Sequence, residues 1–160
     1  MGSDRLEAYR ITDFIIPMKI MSNPVLSETI YEDGISACVP NVVGEYWVGV
    51  RMKGLTFACF QVNQLTSVMW QAHIRILPKY RQKYSRNATF TALKWAEKNI
   101  HGLKTLICTV PKCHRDVSLF VRRIGFSFCG TIQEGYVKNN ILVGVDIFSI
   151  NIDKIRTLEI

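Results

Sequence analysis

Between Arg75 and Ala96 the chain carries Arg75, Lys79, Arg81, Lys83, Arg86 and Lys94 with no acidic residue among them. A solvated helix face mixes charge signs, so a run of one sign marks a place where an anion, above all a phosphate, can be held. The whole chain has a net charge of +7, which asks for an anionic partner: a phosphorylated cofactor, an acidic protein surface or nucleic acid. Trp47, Trp70, Trp95 and the phenylalanines occupy core-like positions. A nucleic-acid platform needs rings exposed beside the cations, so the pattern argues against one. The five cysteines, Cys38, Cys59, Cys108, Cys113 and Cys129, are odd in number and contain no CxxC pair. They read as reduced thiols, mostly in the core, and not as a disulfide framework or zinc ribbon. Cys113 and His114 are adjacent, but two ligands without a second pair do not make a metal site, and none is expected. His101, before Gly102, reads as a solvated residue at a helix end.

These residues need elements to place them. At 160 residues and 48% hydrophobic content, the chain suits one domain spanning 1–160. No apolar run reaches the roughly 18 residues of a membrane span, and no signal peptide is apparent at the N-terminus. A cytoplasmic location is expected. Residues 5–12 read as a strand, and short helices are expected between Phe14 and Tyr31, punctuated by Pro17 and Pro24. Two β-rich runs, EYWVGVRM and LTFACFQV, flank Lys53-Gly54 as a hairpin, and Ser67–Leu77 adds a third strand that Pro78 ends. The period then becomes helical, with a stripe of Ala88, Ala92, Trp95 and Ala96. LKTLICTV reads as a buried strand. Val117, Phe120, Val121 and Ile124 fall on one face of a second helix that stops at Gly125, and FSFCGTIQ and NILVGVDIFSI form a closing hairpin. Strands first, then helices alternating with strands, predict an α/β (α+β) domain with a mixed sheet and helices on its faces.

Three stretches in this order resemble the GNAT superfamily of acetyl-CoA-dependent N-acetyltransferases: HIRILPKYRQKYSRNATFTALKWAEKN (73–99), TLICTVPKCHRDVSLFVRRIGF (105–126) and the closing hairpin. The resemblance implies the GNAT fold, a mixed, mostly antiparallel twisted sheet flanked by helices. Within the superfamily the chain looks most similar to phage-encoded GNAT-like proteins, among them head-assembly proteins of short-tailed phages, whose location would be the host cytoplasm or the virion.

What the resemblance implies for the site is specific. The backbone of Ile74, Ile76 and Leu77 would pair with the pantetheine arm of acetyl-CoA. The loop Arg81, Gln82, Lys83, Tyr84, Ser85 and Arg86 would hold the pyrophosphate, as helix N-termini hold anions. Both glycines of that loop are replaced, by Tyr84 and Arg86, and Lys79, Lys83 and Arg86 offer charge-assisted bonds instead. The helix tyrosine that usually serves as acid is Val121, and the asparagine opening that helix is His114, a residue that would cap it, touch the cofactor or simply lie exposed. His73 is the remaining candidate base, with an intrinsic pKa near neutrality, although a histidine bonded within the sheet would look the same. Gln71, on the same strand face, keeps hydrogen bonding without basicity. Two functions follow from the resemblance. One is acetyl transfer from acetyl-CoA to an amine. The other is a phage head-assembly or virion protein that keeps an inactive scaffold to bind head or portal proteins.

Overall fold

Period-two alternation commits several segments to strands, and the computed structural model, which describes residues 5–35 and 39–159, joins seven strands in one sheet. Cys38 lies outside the described residues. In chain order the elements are β1 (Leu6–Arg10), α1 (Ile15–Met21), α2 (Pro24–Ile30), β2 (Tyr46–Met52), β3 (Leu55–Gln64), β4 (Met69–Ile76), α3 (Pro78–Asn99), β5 (Thr105–Pro111), α4 (Arg115–Arg123), β6 (Ser127–Lys138), β7 (Ile141–Asn151) and α5 (Ile152–Thr157). The sheet order is β1-β2-β3-β4-β5-β7-β6. Every neighbouring pair is antiparallel except β4 and β5. The mixed, mostly antiparallel sheet expected from the sequence is therefore present.

Turn chemistry sets the hairpins. Lys53 and Gly54 have φ of 50° and 80°, and Asn139 and Asn140 have φ of 53° and 59°. Two successive left-handed residues match the right-handed twist of the strands they join. At the start of α3, Leu77 is the N-cap and Pro78 follows at the first helical position, where its missing N–H costs nothing. No glycine or proline occurs from Lys79 to Asn99, and the helix runs unbroken for 22 residues.

Helices α3, α4 and α5 cover one face of the sheet, where Phe90, Leu93, Val121, Ile124 and Ile155 pack on Leu106, Phe148 and Ile150. The middle of α3 seals Val48, Val50, Phe57 and Ile76 under Ala88 and Ala92. The other face is closed by α1 and α2 through Ile20, Met21 and Leu26 against Ile11, Trp47 and Cys59. The sequence reading missed α5, a six-residue helix whose Asn151 side chain accepts from the Lys154 N–H at 2.9 Å while Ile152 and Ile155 turn inward. Val117 departs from its expected core place on α4: it is 41% exposed at the edge of a cleft. Of the four described cysteines, Cys59 and Cys108 are buried, while Cys113 and Cys129 are exposed. Among the described residues no helix is long and apolar enough to cross a membrane.

Candidate active site

The one parallel pairing in the sheet is also its shortest. Residues Met69, Trp70 and Gln71 of β4 pair with Thr105, Leu106 and Ile107 of β5, and there the ladder stops. Beyond it the strands part, with Gln71 Nε2 donating to Thr109 Oγ1 at 3.3 Å near the apex. The opening is a cleft of about 440 Å³ whose walls include His73, Ile74, Thr109, Val110, His114 and Val121.

Strand alternation decides which backbone groups face this opening. The Leu77 N–H donates to the Phe57 carbonyl at 2.9 Å, continuing the β3–β4 register in which Arg75 opposes Cys59 and His73 opposes Gln61. In an antiparallel ladder hydrogen-bonded and outward-facing residues alternate, so Ile74 and Ile76 turn their backbone groups toward the gap. Of the three positions expected to meet a pantetheine arm, Ile74 is thus well placed. Ile76 offers its N–H, while its carbonyl already accepts from Arg81 Nε at 3.1 Å. Leu77 is a correction: its N–H is bound to β3, and its carbonyl accepts the Tyr80 N–H at 2.9 Å.

The expected phosphate loop is a second correction. Arg81, Gln82, Lys83, Tyr84, Ser85 and Arg86 all lie inside α3. With tyrosine and arginine where glycines would interrupt the chain, nothing stops the i→i−4 ladder, and the amides of these turns are spent within the helix. What remains is side-chain charge. Lys79 Nζ lies 4.9 Å from the Tyr80 ring centre and Lys83 Nζ 4.9 Å from that of Tyr84. Arg81 and Ser85 border the cleft, and Ser85 Oγ donates to the Arg81 carbonyl. Gln82 is exposed, and Tyr84 packs its ring 5.9 Å from that of Phe57. Arg86 lies over Phe90 and borders a second hollow with Arg123. No acidic residue occupies the first turn of α3, so the positive end of the helix dipole is surrounded by like charge. An anion there relieves both.

His73 stands half-buried on the cleft wall, and burial, helped by the neighbouring Arg75 charge, pushes its pKa down to about 4. At neutral pH it is an uncharged imidazole. His114, at the N-cap of α4, makes no capping bond with its side chain. Its buried Nε2 has no partner among the described residues, and its ring meets Tyr136 edge-on at 6.4 Å. Burial lowers its pKa, with Asp116 opposing and Lys138 reinforcing the effect. Val121 is 2% exposed on the same wall and can give no proton. Cys108 also lines the cleft, but burial, with a contribution from Cys129, pushes its thiol up to about 12. It therefore supplies no thiolate nucleophile.

The sequence reading counted Arg75 only as part of the basic run. It is 8% exposed and borders the cleft. Its Nε and Nη1 find no hydrogen-bond partner among the described residues. An unmet buried donor costs about 1–3 kcal/mol, and more when charged. The signal was present in the period-two spacing of Gln71, His73 and Arg75, which puts all three on one strand face.

No family model and no curated protein sequence matches the chain. Solved structures do. The spermidine N-acetyltransferase of Vibrio cholerae, in complex with CoA and spermine, aligns with a TM-score of 0.78 over 98% of this chain and 100% of its own, at 14% identity. The yncA protein of Salmonella typhimurium, with its cofactor acetyl-CoA, aligns with a TM-score of 0.74 over 93% of this chain and 95% of its own, at 11% identity. The fold is that of the GNAT acyltransferases. The expected relation to phage head-assembly proteins finds no support among these structures.

Proposed function

We propose that the chain is an N-acyltransferase that takes an acetyl group from acetyl-CoA and passes it directly to an amine. The observation that carries this reading is the parting of β4 and β5 after Gln71, which leaves a cleft bordered by the outward-facing backbone of Ile74. A thin polar arm such as pantetheine fits between two separated strands and can complete the interrupted ladder. The cation-rich start of α3 suits the pyrophosphate through Lys79, Lys83 and Arg86 instead of through loop amides. That the structural neighbours were solved with CoA or acetyl-CoA supports the same donor.

The residues favour direct transfer. Cys108 stays a thiol at neutral pH, so a covalent acyl-enzyme has no nucleophile at this wall. His73 is uncharged and can accept a proton, yet with a pKa of about 4 it is a weak base. The attacking amine must therefore reach the thioester already neutral. The expected rate rises about tenfold per pH unit below the pKa of the acceptor amine, following its neutral fraction, with no inflection near 6.5. Thiol release from acetyl-CoA, followed from pH 5.5 to 9 with a panel of amines, tests the activity and its profile together. A bend near 6.5 would assign the proton to an ordinary histidine, and absence of thiol release with every amine would count against transfer.

A further inference from the structure

Arg75 is a buried cation for which acyl transfer alone provides no task. It lies on the His73 face of β4, opposite Cys59 of β3, and borders the cleft. Its Nη2 donates to Gln61 Oε1 at 3.1 Å, and its Cζ stands 5.4 Å from the centre of the Trp47 ring. Nε and Nη1 have no partner among the described residues. The carboxylate of Glu45 is one residue removed: Oε2 accepts from Gln61 Nε2 at 2.8 Å and from Trp47 Nε1 at 3.2 Å. Glu45 thus holds the Gln61 amide with its oxygen toward Arg75, and orients the guanidinium without touching it.

A guanidinium cannot shed its proton to escape burial, as a lysine or histidine does. A permanent charge with unmet donors in the wall of a cleft suits an anion. The number of charges selects which anion. Arg81, the other cation on the wall, turns its Nε to the Ile76 carbonyl, so Arg75, with an uncharged His73 beside it and the protonated Cys59 thiol opposite, offers one charge and matches a carboxylate. A phosphate dianion calls for a second cation at the same point, and a polyamine is repelled. The carboxylate that does line the cleft, Asp116, sits exposed on the first turn of α4.

Resting on the acyltransferase reading, we propose that the acceptor is a small amine that also carries a carboxylate, such as an amino acid, and that Arg75 binds this carboxylate. The amine attacks the thioester carbonyl, the C–S bond breaks, the proton lost by nitrogen ends on the CoA thiolate, and the product amide keeps its carboxylate. Arg75 is then the residue that determines acceptor class.

Thiol release is measured with acetyl-CoA and a panel of amino acids, with the matching carboxamides, and with spermidine. The best amino acid is expected to exceed its own carboxamide at least about 30-fold in kcat/KM, as expected for a charged hydrogen bond in a buried site. Arg75→Met is expected to lose that preference and Arg75→Lys, which keeps the charge without the planar fork, to retain part of it, while CoA still raises both melting temperatures. Arg75→Met should fold at least as stably as the parent, since an unpaired buried charge has been replaced by an apolar chain. Equal rates for amino acids and carboxamides, or a preference for spermidine, with CoA stabilisation intact, overturn the acceptor assignment and leave the acyltransferase reading standing. A preference unchanged in Arg75→Met, or in Arg75→Gln where the methionine variant does not fold, makes Arg75 structural and also overturns it. No stabilisation by CoA overturns the acyltransferase reading and this proposal with it.

Discussion

His73 shows how one side chain's surroundings reset its chemistry. Its pKa falls from 6.5 to about 4 because burial disfavours the imidazolium and Arg75 repels it. Between those two values the unfolded chain binds more protons than the folded one, so stability rises with pH across this window and is lost as pH falls from 6.5 toward 4. His73→Asn removes that difference. The melting temperature of the variant, measured at pH 7 and at pH 4.5, should fall less on acidification than that of the parent, since every other titrating group is common to both. An equal fall in the two proteins would mean that His73 is protonated in the fold. His73 was a candidate base on its ordinary pKa near neutrality; its weak basicity was not legible, because Arg75 and the burial around it are tertiary facts.

At the scale of elements, α3 carries the largest difference between expectation and structure. The segment Arg81–Arg86 was expected to be a phosphate-holding loop by resemblance, yet the residues themselves are helix formers behind a first-turn proline, and they form helix. Local propensity here outweighed analogy. Tyr84 is consequently a packing residue, its ring 6.2 Å from Tyr80 and 5.9 Å from Phe57. Tyr84→Gly therefore should not improve cofactor access. It should cost about 1 kcal/mol of helix propensity and about 1 kcal/mol or more of aromatic contact. For a domain of this size that lowers the melting temperature by roughly 4 to 8 °C, a loss that thermal denaturation followed by circular dichroism will register. An unchanged or higher melting temperature would restore the loop. The hairpins, by contrast, were readable from Lys53-Gly54 and from Asn139-Asn140, where turn residues dictate their own geometry. Helix α5 escaped notice because six residues give too little periodicity, although the Asn151 cap ahead of Ile152 and Ile155 was its trace.

For the molecule as a whole, the neighbours β2-β3-β4 and β6-β7 were readable as a meander and a closing hairpin, whereas the place of β7 between β5 and β6 was not. The resemblance implied free backbone at Ile74, Ile76 and Leu77, but the split after Gln71 belongs to the assembled sheet, since no residue pattern announces where the ladder ends. That split is also where the central claim rests, because it is the feature that makes room for a cofactor arm between two strands. A ligand that binds only the folded state at about 100 times its dissociation constant adds about 2.7 kcal/mol of stability. Each kcal/mol moves the midpoint of a 160-residue domain by about 2 to 4 °C, so CoA at such a concentration should raise the melting temperature by roughly 5 to 11 °C. The effect should shrink with added salt and in the triple variant Lys79→Ala, Lys83→Ala, Arg86→Ala, because ionic contacts to the pyrophosphate are screened or removed. A melting temperature that does not move with millimolar CoA at low salt, in the parent protein, would contradict the account.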